Sequence, residues 1–421
     1  MNTEKKLFEL LKKNKFKVSK DTRENLKGKV YFALQGDNFD GNKFVCEAIR
    51  KGAVGAVTDD PNNTGDNIYL VKEVLKTLQN LALKYRETFK IPIVVIGGSN
   101  GKTTSKELVR DVLKTKYRVH ATEGSLNNHF GVPISILLMD KKTEMGVFEI
   151  GANHPKEHTE LLNILKPTHV VITNNGMDHL EGFSSPQGSR KANKEIYDWA
   201  LINKARVFVN KNHKDLMSNS RKNKRVIYPK NKLENLDENP LSIIKNKTIY
   251  KTRLFGNYNL ENVELAISIG QCFGIDTNDS LRAVCKYEPT SKRSQFLIKN
   301  RVNLIVDCYN ANPSSMRLSF DSFVGSTRNP KGVILGDMLE LGKYSDVEHK
   351  KIVKHVFKQK LDCVVFVGKN FKKALEKTKG SYQWFSDSDS ARMWFSKQQF
   401  KNYTFLLKGS RGIKIEKILG L

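Results

Sequence analysis

The residues best suited to chemistry lie in one short run, Gly97-Gly98-Ser99-Asn100-Gly101-Lys102-Thr103-Thr104. A glycine turn at a helix N-terminus points backbone N–H groups and a helix dipole at an anion. A lysine that follows reaches the outer phosphates, and a threonine hydroxyl next to it can hold magnesium. Gly98, Ser99, Asn100, Gly101, Lys102, Thr103 and Thr104 are therefore expected to cradle the phosphates of ATP. The general phosphate-loop pattern would place glycine at position 96, where Ile96 stands, so this loop is a shortened form.

Magnesium bound to ATP takes oxygen ligands, best supplied from strand ends beside the loop. Glu149, near the end of the apolar run Gly146 to Ile150, has that placement. His179, in the loop Asn174 to Gly182 after the run His169 to Thr173, is a second candidate. Either residue alone more often faces solvent than a metal.

These residues need a scaffold. Ile91 to Ile96 reads as a buried strand leading into the glycine turn, and Leu108, Val109, Val112 and Leu113 recur on one face of the helix after it. Further apolar runs at Gly146 to Ile150, His169 to Thr173 and Ala205 to Val209 alternate with helix-like stretches, the pattern of a parallel sheet with helical crossovers. A second series at Val302 to Asp307, Gly332 to Leu335, Cys363 to Val367 and Tyr403 to Leu407 predicts another α/β sheet. Ahead of both, Val30 to Leu34 and Val54 to Val57 are strand candidates, and Val74, Leu78, Leu81 and Tyr85 form a helical stripe. The expected fold class is α/β in three domains, residues 1–88, 89–291 and 292–421.

Bulk properties narrow the function. No apolar run among the 421 residues approaches the roughly 20 a membrane span needs. The N-terminal segment has no secretory pattern, so a cytoplasmic protein is expected. Five scattered cysteines, none in a C-x-x-C pair, suggest neither a disulfide framework nor a zinc site. A net charge of +28 invites a nucleic-acid reading, in which the phosphate loop would serve a basic NTPase. The lysines are spread along the chain, however, and the local concentrations Lys12 to Lys20 and Arg221 to Lys232 carry no nucleic-acid motif. A solvated basic surface that favours anionic substrates is the simpler expectation.

Several motifs in a fixed order resemble the Mur ligases. They are Gly98-Ser99-Asn100-Gly101-Lys102-Thr103-Thr104, Glu149-Ile150-Gly151-Ala152, Asn174 to Gly182 and Ala192-Asn193-Lys194-Glu195. Leu126 to Pro133, Tyr309 to Pro313, Gly336 to Gly342 and Lys408 to Gly412 look most like the branch that adds D-alanyl-D-alanine. Asp21-Thr22-Arg23, Phe32 to Gly36 and Phe39-Asp40-Gly41 resemble its UDP-binding domain. Three departures from the usual pattern stand out: Gly97 replaces threonine, Met177-Asp178 replaces proline-alanine, and Asn257 replaces a basic residue.

The resemblance implies a small UDP-substrate-binding domain, a central ATP-binding domain built on a mononucleotide-binding parallel sheet, and a C-terminal Rossmann-like domain for the incoming dipeptide. It also implies an ATP-dependent ligase of peptidoglycan precursor synthesis that joins UDP-N-acetylmuramoyl-tripeptide to D-alanyl-D-alanine through an acyl phosphate. No nucleic acid and no membrane insertion are implied, and a monomer is expected. Lys102, Glu149, His179 and Lys194 would be catalytic, and Thr103, Glu149, His179 and Lys194 would hold Mg2+, with Lys194 carbamylated. Asn259 would contact adenine, and Asp307, Tyr309 and Asn310 would close on the nucleotide. Asp21, Thr22, Arg23, Asp40, Asn127, Asn128, Asp337, Lys408, Ser410 and Arg411 would meet the other substrates. A third-residue-adding relative would carry Asp-Asn-Pro-Arg, which this chain lacks; a folate polyglutamate ligase is the other alternative within the superfamily.

Overall fold

The computed structural model describes residues 3–36, 39–178, 180–230, 233–236, 239–290, 292–326 and 330–420. His179 lies outside the described residues. The chain condenses into two compact units: Met1–Val95, Tyr117–Ala152 and Lys156–His169 form one, and Ile96–Lys116, Asn153–Pro155 and Val170–Leu421 form the other.

The first unit opens with a small parallel sheet, Val18–Ser19, Val30–Phe32, Gly55–Thr58 and Ile68–Leu70 in spatial order. Its core is Leu26, Tyr31, Val45, Ala48 and Ala56. The stripe expected from the sequence is the buried face of the helix Val74–Arg86. Arg86 ends that helix and is buried. Its guanidinium donates to the carbonyls of Leu165 at 2.7 Å, Phe89 at 2.9 Å and Lys166 at 3.2 Å. Two of those carbonyls close the helix Glu157–Leu165, so one side chain satisfies backbone groups that the helix end leaves open.

The first unit also pairs the strands Val119–Ala121 and Met145–Glu149 in parallel, and the second unit pairs Arg206–Asn210 with Lys224–Tyr228 in parallel. Ile93 to Ile96 are fully buried, as the apolar run requires. In the second unit the helix Lys102–Leu113 buries Leu108, Val109, Val112 and Leu113. It packs on the helix Asn259–Cys272, where a Cβ on Gly270 would come within 2.7 Å of Val112 Cγ1, so only glycine permits that approach.

The second unit also holds the C-terminal sheet, ordered Gln295–Lys299, Val302–Asp307, Thr404–Lys408, Lys331–Gly336, Cys363–Val367 and Gln383–Phe385. The first pair is antiparallel and the others are parallel. The register sets Asp307 beside Lys408 at the strand ends.

The α/β class with parallel sheets is as expected, but some elements are not. Arg221 to Lys232, read as a solvated basic run, contains the edge strand Lys224–Tyr228. Its alternation is masked because one face of an edge strand can carry charge. A three-stranded antiparallel sheet, Glu234–Leu236, Ser242–Lys245 and Thr248–Lys251, also lacks a strong apolar signal. No helix among the described residues is long and apolar enough to cross a membrane.

Replacing Arg86 by methionine keeps the apolar stem and strands three carbonyls. The expected cost is about 2–3 kcal/mol of stability, given what unmade buried hydrogen bonds to a charged group cost. Hydrogen exchange should show the loss at the end of Glu157–Leu165, and an unchanged melting profile would contradict this role for Arg86.

Candidate functional site

The phosphate loop follows the buried strand Ile93–Gly97 and turns through two glycines with positive φ. Gly98 has φ +116°, and a Cβ there would lie 2.4 Å from Thr173 Oγ1 and 2.8 Å from Thr173 N. Gly101 has φ +78° and abuts Asn262 Oδ1 at 2.7 Å from where a Cβ would stand. Both positions require glycine, for backbone conformation and for space.

The loop is held from the side by residues 173–174. Ser99 N–H donates to Asn174 O at 3.0 Å, and Asn100 N–H donates to Asn174 Oδ1 at 3.1 Å. Asn100 O accepts from Thr173 Oγ1 at 2.7 Å and from Asn174 Nδ2 at 3.0 Å. Lys102 curls over its own loop, its Nζ donating to the carbonyls of Gly98 at 2.5 Å and Ser99 at 3.1 Å. The ammonium is thus fixed at the loop mouth, and Thr103 and Thr104 follow in the first turn of the helix.

A cavity of about 490 Å³ extends from Asn100 and Gly101 past Asn262 to Asn212, His213 and Tyr228. Asn257, Tyr258 and Leu260 line it as well. Asn259, expected to contact adenine, is buried and committed elsewhere: its Nδ2 donates to Phe255 O at 2.6 Å and its Oδ1 accepts from Asn262 Nδ2 at 2.8 Å. Asn262 Oδ1 accepts from Ser105 Oγ at 2.9 Å. One turn of helix separates the two asparagines, and Asn262 is the one that lines the cavity.

At the far end of the cavity His213 Nε2 meets Glu261 Oε2 at 2.8 Å. That carboxylate raises the imidazole above its ordinary value of 6.5, outweighing its partial burial.

C-terminal residues of the second unit also reach the loop. Asn312 Nδ2 donates to Asn100 Oδ1 at 2.8 Å, and Ser314 Oγ accepts from Met177 N–H at 3.2 Å. Neither residue was anticipated, although Asn312 sits in a motif that was. Asn310 is exposed, and its Oδ1 accepts from the Ala311 amide. Lys408 Nζ donates to Asp307 Oδ2 at 2.6 Å in a largely buried pair, and Asp307 Oδ1 accepts from Ser294 N–H. Tyr309 is flanked by Arg293, 3.5 Å from the ring centroid, and by Arg411 at 5.2 Å. Arg293 carries no spacing signal, and only this stacking draws notice to it.

Ser410 Oγ donates to Ala311 O and accepts from Leu339 N–H. Asp337 is buried and accepts from the Asn370 and Phe371 amides at 2.9 Å each, so it orders its loop through the backbone. Burial raises its carboxyl above the usual range. Lys194, on the helix Pro186–Ile202, pairs with Asp198 one turn on.

In the first unit Glu149 is buried, and its Oε1 accepts from Asn127 Nδ2 at 2.8 Å. Asn128 Oδ1 accepts from the Phe130 and Gly131 amides at the start of the helix Gly131–Leu137. Arg23 and Asp21 form an exposed bidentate pair that holds the Asp21 carboxyl down at about 2. Thr22 is buried, its carbonyl accepting from Lys51 Nζ, and Asp40 Oδ1 caps the following turn through Asn42 N–H.

A glycine-turn phosphate loop with a fixed lysine, opening on a base-sized cavity, defines a nucleotide-binding α/β enzyme. Residues 96–270 match the Mur ligase middle domain, and residues 292–411 match the Mur ligase glutamate ligase domain. The UDP-N-acetylmuramoyl-tripeptide–D-alanyl-D-alanine ligase of Bacillus subtilis is 30% identical over 96% of this chain and 92% of its own length. That of Rickettsia prowazekii is 31% identical over 95% and 93%. Among solved structures, MurF from Acinetobacter baumannii superposes with a TM-score of 0.85 at 26% identity, covering 96% of this chain and 92% of that one. The chain belongs to the Mur ligase family, and within it is most like the ligases that add D-alanyl-D-alanine. As a member it is an ATP-dependent ligase.

The His213–Glu261 pair gives a pH-dependent test. Because the folded-state value is raised, its stabilisation is fully present below about pH 6.5 and is lost as pH rises through the raised value. Glu261→Gln should lower the His213 titration midpoint, read by NMR; an unmoved midpoint would refute the pairing.

Proposed function

We propose that this chain joins the terminal carboxylate of UDP-N-acetylmuramoyl-tripeptide to the amine of D-alanyl-D-alanine at the expense of ATP. The observation that carries the reading is the phosphate loop, with Lys102 Nζ poised over the Gly98 and Ser99 carbonyls beside a base-sized cavity. The names of relatives matched over nearly the whole chain supply the substrates. The division into 1–88, 89–291 and 292–421, a cytoplasmic location and a monomeric state belong to the same proposal.

Lys102 and the N-terminus of the helix Lys102–Leu113 bind the β- and γ-phosphates and offset the charge that develops as a carboxylate oxygen attacks the γ-phosphorus. ADP leaves and an acyl phosphate forms. The amine nitrogen then attacks the activated carbonyl, loses a proton, and inorganic phosphate departs with the former carboxylate oxygen. Arg411, exposed beyond the strand Thr404–Lys408, is assigned to a carboxylate of the dipeptide, and Lys408, held by Asp307, to the loop that presents it. Asp21, Thr22, Arg23 and Asp40 are assigned to the UDP moiety, and Asn127, Asn128, Asp337 and Ser410 order the loops that face the substrates.

Thr103, Glu149, His179 and Lys194 are assigned to Mg2+. The donor chemistry fits once Lys194 is carbamylated, since a hydroxyl, a carboxylate and a carbamate all offer the oxygen that a hard cation takes, whereas an ammonium cannot bind a metal. Bound there, magnesium would neutralise phosphate charge. Carbamylation would cost Lys194 its pair with Asp198, whose carboxylate is already about half exposed.

Lys102→Ala and Glu149→Ala should each lower ligation by at least about a thousandfold, the scale of one lost electrostatic stabiliser or more, while the proteins stay folded. Phosphate release from wild-type protein should require both UDP-linked tripeptide and D-alanyl-D-alanine. Turnover on a different amine with none on D-alanyl-D-alanine would sink the substrate assignment, and near-normal turnover in either variant would sink the catalytic one.

A further inference from the structure

Beside the phosphate loop lies a carboxylate that the reaction above does not use. Asp178 is buried, as are Ser99 and Ser189. Its Oδ1 accepts from Ser99 Oγ at 2.5 Å and from Ser189 Oγ at 2.9 Å. Ser99 belongs to the phosphate loop, and Ser189 to the first turns of the helix Pro186–Ile202, which carries Lys194 five residues further on. A single oxygen atom therefore joins the element that grips ATP to the element that carries a proposed metal ligand.

We infer that Asp178 is a positioning residue that sets the phosphate loop and the Lys194 helix in one fixed register. The inference rests on the nucleotide-site reading of the loop. Hydroxyl-to-carboxylate bonds are short and stronger than neutral ones, and their strength grows where water is excluded. The bond also spends the only proton of Ser99 Oγ. Asn193 Nδ2 reaches the same oxygen at 3.4 Å from the helix side and donates to Asn175 Oδ1 at 2.9 Å. Asn175 Nδ2 in turn donates to Asp215 Oδ2 at 2.7 Å. Ser99 is thus a brace on both counts, its side chain held by Asp178 and its amide by Asn174 O.

The surrounding contacts leave little freedom for the loop to drift while the clamp holds. A Cβ on Gly176 would stand 2.5 Å from Asn100 Nδ2 and 3.1 Å from Ser99 Cβ, so the segment bearing Asp178 lies flush on the loop. Without the carboxylate, two buried hydroxyls lose their common acceptor and the helix is released from the loop at that point.

The two limbs separate the consequences. Ser99→Ala cuts the loop limb and should raise KM for ATP about tenfold, with a smaller effect on kcat. Ser189→Ala cuts the helix limb and should lower kcat about tenfold, with KM for ATP held within about twofold. Asp178→Ala should show both changes, and Asp178→Asn, whose amide oxygen still accepts from both hydroxyls, should recover most of each. ADP affinity, measured by calorimetry on the full chain, should follow KM across the series. Wild-type protein that binds no ADP would refute the nucleotide reading itself. Wild-type binding combined with an unchanged, folded Asp178→Ala variant would overturn the clamp alone. So would an Asn variant no better than Ala, or the same shift in KM and kcat from both serine variants; the serine pair decides the matter if Asp178→Ala fails to fold.

Discussion

The backbone of the phosphate loop is held by a neighbouring segment, and the rest of the site depends on that grip. Asn174 behaves toward Asn100 like a strand partner: its side-chain oxygen takes the Asn100 N–H, and its side-chain nitrogen gives to the Asn100 carbonyl. Thr173 adds a third bond to the same residue, and the Asn174 carbonyl takes the Ser99 N–H. A glycine-rich turn would otherwise lose much conformational entropy on closing around an anion. Here most of that ordering is done by folding, so binding energy is not consumed in shaping the loop.

This constraint explains the placement of glycine. Gly98 and Gly176 sit on the two sides of the contact, and a methyl group on either would meet the opposite segment at 2.4–2.5 Å. Packing at that distance is also what lets Asn312 and Ser314 touch the pair of loops from a third direction. The loop is braced by residues from three parts of the second unit, and most of these braces are asparagines or small hydroxyl residues. These side chains are short enough to pair with backbone without adding bulk.

Part of this was legible in the sequence because it is local. Strand, glycines, lysine and threonines follow one another in Ile93 to Thr104, and their roles follow from that order. The second α/β sheet was legible for the same reason, each of its central strands carrying an apolar run of at least three residues. The braces are not local: Asn174 and Asp178 are 74 and 79 residues from their loop partners, and no periodicity connects them. Asn259 and Asn262 show a subtler limit. Three residues apart on a helix, they share one face, and only the fold decides which lines the cavity and which supports it. Edge strands such as Gln295–Lys299 and Lys224–Tyr228 escape notice because pairing on one side relaxes the demand for alternation.

Lys102 shows what the bracing achieves. Its ammonium already rests on two loop carbonyls, Gly98 O and Ser99 O, which orient it without neutralising it. Those carbonyls are fixed because the adjoining amide and side chain of Ser99 are fixed, the amide by Asn174 and the hydroxyl by Asp178. A cation held by dipoles keeps its full charge for an incoming phosphate, whereas one paired with a carboxylate would have to break that pair first. The carboxylate in this region is instead bound by two hydroxyls, one step removed from the lysine. The arrangement thus keeps a rigid positive charge at the loop mouth while using a negative one only as a brace, which is the preorganisation that charge stabilisation in phosphoryl transfer requires.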